Sequence, residues 1–184
     1  FPKPRAAFMS TGDEVVDVAP RDNAANSSSE EGGKGAHQIW DANRPILLAG
    51  ARPYCSEVVD LGIAGDTQAR LERLFRQATE RRCQVLVTSG GVSMGDSDLI
   101  KPILETKGTV HFGKVKMKPG KPLTFATLVA EDGHKMMVFG LPGNPVSSFV
   151  TFNLVVLPVL RTLAGWADPH PTRIAVKTAE AIAM

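Results

Sequence analysis

Residues 84–98 read QVLVTSGGVSMGDSD, and their reading decides the fold. Val85, Leu86 and Val87 form an uninterrupted apolar run, the composition of a strand buried on both faces of a parallel sheet. The run passes into Thr88-Ser89-Gly90-Gly91, where two glycines let the backbone turn sharply and approach a ligand closely. Leu99, Ile100, Ile103 and Leu104 then carry a helical pattern. A strand, a glycine-rich turn and a helix place backbone N–H groups and a positive helix end together, an arrangement that binds phosphate or another anion. The turn matches neither the Walker sequence nor GxGxxG, so alone it specifies an anion and nothing finer. An ordinary connection capped by Asp96 or Ser97 is the competing reading.

Outward from this stretch the chain alternates strands and helices. Residues 5–11 form a first strand ending in Ser10-Thr11-Gly12-Asp13-Glu14. Residues 41–54 read as a helix with Asp41 as N-cap and Ile46, Leu47 and Ala51 on its inner side. Glu57–Ile63 reads as a second strand, followed by Gly65-Asp66-Thr67. The next helix has the cleanest pattern, with Leu71, Leu74, Phe75 and Ala78 at i, i+3, i+4 and i+7. Residues 109–118, 123–129 and 135–139 are β-type, the last two joined at Glu131-Asp132-Gly133 as a hairpin. Asn144 as N-cap and Pro145 at the first helical position open a helix over 146–163. It is apolar nearly all round, which predicts burial between layers, with a kink at Pro158. Ser147, Ser148, Thr151, Asn153 and Pro158 interrupt it, which argues against a membrane span of about 20 apolar residues. Residues 173–182 read as a further strand. The expected fold is a three-layer α/β/α arrangement on a mostly parallel sheet, with ligands at the carboxyl ends of the strands.

Length and charge limit the function classes. A chain of 184 residues suits one domain with its own core. The formal net charge of +2 does not by itself imply a polyanionic partner, and nucleic acid is not expected. Cys55 and Cys83 have no metal-type spacing and suggest free thiols in a reducing compartment, the cytoplasm. His37, His111, His134 and His170 are scattered, so no histidine metal site is assigned, and Ser89 and Ser93 lack a nearby base for a serine hydrolase. Residues 19–34 are rich in Asn, Ser, Glu and Gly and read as a flexible surface loop. The chain opens on Phe1 and stops in a strand-like stretch, the pattern expected of one domain of a longer protein.

The chemistry collects at the strand ends. Asp13-Glu14, Asp66 and residues 89–98 set several acids at one sheet edge beside an anion turn, which suits a Mg²⁺-assisted phosphate reaction. Singly, Asp66 reads as a helix cap and Asp13 or Glu14 as surface turn residues; together they favour a metal site. In Lys114-Val115-Lys116-Met117-Lys118 a strand period puts three lysines on one face. A lysine-protected edge strand is the alternative, but Lys118-Pro119-Gly120-Lys121-Pro122 brings two ammonium groups together, which favours a bound polyanion.

Five motifs then carry a family resemblance: Ser10-Thr11-Gly12-Asp13-Glu14, Asp41-Ala42-Asn43-Arg44, Thr88-Ser89-Gly90-Gly91-Val92-Ser93-Met94-Gly95-Asp96, Lys118-Pro119-Gly120-Lys121-Pro122 and Leu141-Pro142-Gly143-Asn144-Pro145-Val146-Ser147. In this order they resemble the molybdenum insertases, the family of MoeA and the gephyrin E domain, in wording closest to the plant and algal members. The resemblance implies a molybdopterin-binding domain over 1–170, an insertion at 19–37 and the start of a C-terminal domain at 171–184. It implies an enzyme that inserts molybdate into adenylated molybdopterin and releases AMP. By position it implies that Glu14, Asp66 and Asp98 hold Mg²⁺ and the adenylate phosphates, and that Lys114, Lys118 and Lys121 hold phosphate and molybdate. Ser89, Gly90, Gly91 and Ser93, with Pro122 and with Asn144, Pro145 and Ser147 at the helix start, are implied on the pterin side and its terminal phosphate. The family usually carries Arg and Ser where this chain has Trp40 and Ala42. It also implies a homodimer whose site is completed by other domains of the same protein. The alternatives are a molybdopterin adenylyltransferase, which shares the fold and a Ser-Gly-Gly turn, and a receptor-anchoring scaffold of gephyrin type.

Overall fold

The structure, a computed structural model, describes residues 1–17, 37–91, 99–177 and 179–180. Among these residues eight strands and five α-helices follow in chain order: β1 (Arg5–Ser10), β2 (Val15–Val16), β3 (Ile39–Trp40), α1 (Asn43–Ala51), β4 (Glu57–Ile63), α2 (Gln68–Glu80), β5 (Val85–Ser89), α3 (Ile100–Lys107), β6 (Gly108–Phe112), β7 (Thr124–Val129), β8 (Lys135–Leu141), α4 (Pro145–Thr151) and α5 (Leu157–Leu163). Six strands make one sheet in the order β4-β1-β5-β8-β7-β6. Its β4, β1, β5 and β8 are mutually parallel, while β7 pairs antiparallel with both neighbours.

The alternation of side chains along β1 and β5 builds the two cores. Ala7, Met9 and Leu86 point to the face covered by α2 and α3, where Leu71, Leu74, Phe75, Ile100 and Leu104 meet them. Ala6, Phe8, Val85 and Val87 point to the other face, against Leu47 of α1 and Phe152, Val156 and Leu160 of the long C-terminal helix. This is the expected α/β/α layering, and β5 is buried along its whole length, as its unbroken apolar run requires. From β1 the chain crosses to β4 over one face, and from β4 it crosses to β5 over the other. The loops after β1 and β5 therefore part to opposite faces, the switch point at which open α/β sheets form a crevice.

Several local expectations are corrected. Residues 114–118 are not a strand: β6 ends at Phe112, and the segment is a loop held by Val115 N–H to the Lys121 carbonyl (3.0 Å). The period-2 exposure survives there, with Lys114, Lys116 and Lys118 exposed and Val115 and Met117 half-buried. Ile46 is exposed, because the sheet lies under Leu47 and Ala51 and the helix turns Ile46 away. The helix after Asn144 runs from Pro145 to Leu163, 19 residues with a mean hydropathy of 1.6, so it is long and apolar enough to cross a membrane. In this fold it lies on the sheet, yet only one side is covered; Val146, Phe149 and Leu154 remain exposed, against the expected burial all round. A π-helical stretch at Phe152–Val156 precedes Pro158, whose missing N–H removes one ladder bond there. Residues 173–177 form no strand, since no described strand lies beside them to complete a ladder. The loop at 19–34 falls wholly within 18–36, outside the described residues.

The Asn144 cap and the hairpin at residues 130–134 are as expected. Asn144 Oδ1 accepts from Ser147 N–H at 3.1 Å, and Ala130 N–H donates to the His134 carbonyl at 2.8 Å. Both cysteines are free and buried, and burial pushes each thiol up to about 11. Thiolate is thus scarce at pH 8, and iodoacetamide should leave Cys55 and Cys83 unmodified in the folded protein and alkylate both after unfolding. Mass spectrometry reads this directly; native alkylation of either would contradict its place in the core.

Candidate functional site

Three loops leave the carboxyl ends of β1, β5 and β8 and close on one another. Thr11 N–H donates to the Ser89 carbonyl (2.9 Å), and Gly90 N–H donates to the Leu141 carbonyl (3.0 Å). Gly90 and Gly91 both take positive φ, 86° and 67°. A Cβ on Gly90 would stand 2.8 Å from the Thr11 carbonyl oxygen, and one on Gly91 would stand 2.8 Å from Thr11 Oγ1. The glycines thus serve first to let the β1 loop lie against the β5 turn. Gly90 N–H is spent on the ladder and is no anion donor, whereas Gly91 N–H has no protein partner among the described residues.

Between these loops lies a cavity of about 450 Å³. That size is in the range of small-molecule sites. Glu14, Asp66, Ser89, Gly90, Gly91, Pro122 and Pro145 line it, so seven of the expected site residues come together. Asn144 and Ser147 do not line it; the Asn144 amide oxygen is occupied by the Ser147 N–H. Lys114, Lys118 and Lys121 stand exposed on the adjoining loop, and Lys121 enters the site only through its neighbour Pro122. Ser93 and Asp98, with Asp96 and Ser97, lie outside the described residues.

The acids have defined partners. Asp66 is not the cap of α2: Thr67 holds the N-cap position and no side chain caps it. Instead Asp66 and Asp13 face each other reciprocally, Asp66 N–H donating to Asp13 Oδ1 (2.9 Å) and Asp13 N–H to Asp66 Oδ2 (3.2 Å). This exchange ties the β4 loop to the β1 loop and leaves the second Asp66 oxygen without a partner among the described residues. Gly12, at φ 125°, passes beneath the Glu14 carboxylate, which would lie 2.5 Å from any Cβ there. Glu14 and Asp66 are hard oxygen donors on one cavity, a donor set that suits Mg²⁺ sharing phosphate oxygens. Among the described residues, no group of three or more His, Cys, Asp or Glu is placed to hold a metal ion.

Two further side chains belong to the site and were not singled out from the sequence. Asn43 Nδ2 donates to Ser89 Oγ (2.7 Å) and to the Gly143 carbonyl (2.8 Å), bridging the β5 and β8 loops. Because a carbonyl can only accept, this orientation of the amide makes Ser89 Oγ an acceptor from Asn43 and leaves its own proton for another partner. Among the described residues, Ser10 Oγ and Asn43 Oδ1 are buried without a partner, and both residues line the cavity. The Asp41-Ala42-Asn43-Arg44 motif, one of the five that carry the family resemblance, was the available signal for Asn43, but nothing in the sequence assigns Asn43 a role of its own. Asp41 stands one residue before the N-cap position of α1, which Ala42 holds without a side-chain cap; its Oδ1 accepts from Arg44 N–H at 3.1 Å, and its other oxygen takes Arg44 Nε at 3.0 Å. Arg44 also meets Asp17 and Asp60, so one buried guanidinium joins β2, β4 and the start of α1. Burial alone would lower its pKa; hydrogen bonds to Asp41 and Asp60 and the charges of Asp60 and Asp17 outweigh this and raise it.

A family profile described as "Probable molybdopterin binding domain" matches residues 7–162. The chain is 38% identical over 182 residues to gephyrin of Dictyostelium discoideum, covering 89% of this chain and 24% of that protein. It is 38% identical over 169 residues to a molybdopterin molybdenumtransferase of Haemophilus influenzae, covering 90% and 37%. A solved molybdopterin biosynthesis MoeA protein from Pyrococcus horikosii superposes with a TM-score of 0.68 at 30% identity, over 89% of this chain and 36% of that one. The chain thus spans between about a quarter and two fifths of the length of these relatives.

The packing of Thr11 on the turn predicts a hierarchy among glycines with similar φ. Gly90→Ala meets both the left-handed backbone penalty and the Thr11 carbonyl, whereas Gly133→Ala, at φ 81°, meets no atom within 4 Å. Gly133→Ala should cost about 1 kcal/mol and Gly90→Ala clearly more, read as denaturant midpoints. Equal losses would mean that the loops do not need this close approach.

Proposed function

This chain belongs to the molybdopterin-binding domain family, and from that premise we propose that it is the part of a molybdenum insertase that binds adenylated molybdopterin and molybdate. The observation that carries the proposal is the single cavity edge on which Glu14, Asp66, Ser89, Gly90 and Gly91 meet in a chain of this family. Residues 1–170 act as the binding domain. In the whole protein, a dimer whose other domains complete the site, molybdate enters the dithiolene and AMP leaves. The two buried free thiols support a place in the reducing cytoplasm.

The residues divide the work by chemistry. Ser89, its proton freed by Asn43, and the Gly91 N–H donate to a terminal phosphate at the β5 turn. Ser93 is assigned to the same phosphate, and Pro122, Asn144, Pro145 and Ser147 shape the pterin side. Asn144 acts through the Ser147 N–H that it holds rather than by facing the ligand. Lys114, Lys118 and Lys121 approach from their exposed loop, drawing in phosphate and the molybdate dianion by charge. Glu14 and Asp66, with Asp98, would hold Mg²⁺, which when bound neutralises the phosphate oxygens. Asp13 holds Asp66 in place through the reciprocal backbone bonds.

Binding and turnover should separate. The chain should bind AMP or molybdopterin in a calorimetric titration, more tightly with Mg²⁺ and more weakly as salt rises, because the lysine attraction is screened over about 10 Å at 0.1 M. Lys118→Ala should lose about 1.5–3 kcal/mol of binding, the contribution of a charge-assisted hydrogen bond. The same sample should release no AMP from adenylated molybdopterin, whereas the full-length protein should, and Asp98→Asn there should abolish Mg²⁺-dependent release with the fold intact. Failure to bind either ligand would overturn the pocket assignment, and full activity of this chain would overturn the shared site.

A further inference from the structure

We infer that Trp40 is a stacking platform for the planar heteroaromatic ring of the bound ligand, and that it faces the anion turn across the cavity; the inference rests on the pocket proposed above. The cavity is divided by chemistry. Ser89, Gly90, Gly91, Glu14 and Asp66 supply its polar and charged side, while Val15, Ile39, Trp40 and Ala42 supply an apolar side. Ile39 and Trp40 are 52% and 44% exposed, so large apolar surfaces face the opening. A pocket so divided fits a ligand with a phosphate at one end and a flat, weakly hydrated ring at the other.

Among the described residues, Trp40 differs from the other tryptophan in having no ring or guanidinium stacked on it. Trp166 packs edge-on against Tyr54 with centroids 5.6 Å apart, and the Arg161 guanidinium lies 5.1 Å from its ring. Among the described residues Trp40 has neither an aromatic nor a cationic neighbour. Yet its backbone is firmly held. Ile39 N–H donates to the Glu14 carbonyl at 2.7 Å, Asp41 N–H to the Val16 carbonyl at 2.9 Å, and Val16 pairs with Trp40 in register. Asp17, just past β2, and Asp41, just past β3, are both clamped by the buried Arg44, which also reaches Asp60 in β4 of the sheet. The two-residue ladder could not be stable alone; Arg44 fixes it to the fold and so pre-positions the indole. A flat aromatic surface with two torsions loses little entropy on binding, and stacking a base on such a ring gives a gain that tolerates the base's identity.

Adenine and pterin are both planar and both reach the site on phosphate, so the test separates them. The sequence has two tryptophans, and Trp166→Phe leaves Trp40 as the sole indole reporter. In that background AMP, a neopterin phosphate and ribose 5-phosphate are titrated by calorimetry and by indole emission. At least one ring-bearing ligand should quench Trp40, and Trp40→Ala should weaken that ligand about tenfold, with Trp40→Phe restoring most of the loss. Ribose 5-phosphate, which has no ring, should bind equally to all three. The ligand that shows the Trp40 dependence identifies the ring; dependence of both means that the platform accepts either. Ring ligands that bind Trp40→Ala as tightly as Trp40, with unchanged emission, would overturn the platform and leave the pocket standing. Binding of none of the three would overturn the pocket and the platform with it.

Discussion

The fold of the site depends on how closely two loops can approach. Thr11, at the end of β1, lies so near Gly90 and Gly91 that a single Cβ at either would come within 2.8 Å of it. Without that approach the Thr11 N–H could not reach the Ser89 carbonyl, and Gly90 could not extend the ladder to Leu141. The loops after β1, β5 and β8 would then splay, and the cavity among them would lose its floor. Glycine is therefore required twice over, for its positive φ and for the absence of a side chain.

A second constraint acts through charge. Arg44 is almost fully buried, a costly place for a guanidinium, and it is tolerated because Asp41, Asp17 and Asp60 surround it. The same contacts attach a two-residue ladder to the six-stranded sheet, and the side chains of that ladder form the apolar side of the cavity. Polar and apolar halves are thus held by different physics. The anion side is shaped by backbone hydrogen bonds and tight steric contact, the ring side by an ion cluster. Asn43 joins the β5 and β8 loops at the seam through Ser89 Oγ and the Gly143 carbonyl.

Much of this was legible in the sequence because it is locally encoded. The apolar run at Val85–Ser89 and the periodic Leu71, Leu74, Phe75 and Ala78 fix element type directly, and Asn144-Pro145 fixes a helix start. The gathering of acids and glycines at strand ends followed from the parallel sheet alone. Features set by tertiary contact were not legible. Lys114–Lys118 has strand periodicity, but no neighbouring strand extends a ladder to it. The helix over 146–163 is apolar all round in composition, yet only the face toward Phe8 and Phe139 is covered. Asp66 has the position of a cap, and the competing Asp13 N–H, 53 residues away, takes it instead. Arg44 and Asn43 were hidden because their partners are distant in sequence: Asp60, Asp17, Ser89 and Gly143.

The central claim is that ligand binds where β1, β5 and β8 end. Amide chemical-shift mapping tests it most directly, with ¹⁵N-labelled chain titrated with AMP and Mg²⁺. The account predicts the largest shifts at Thr11, Gly12, Asn43, Ser89, Gly91 and Gly143, and at the indole N–H of Trp40. The opposite edge of the sheet offers a built-in control, since a smaller basic hollow lies there beside Lys3, Arg5 and Arg82. Shifts concentrated around those residues, with the Gly91 amide unmoved, would contradict the account.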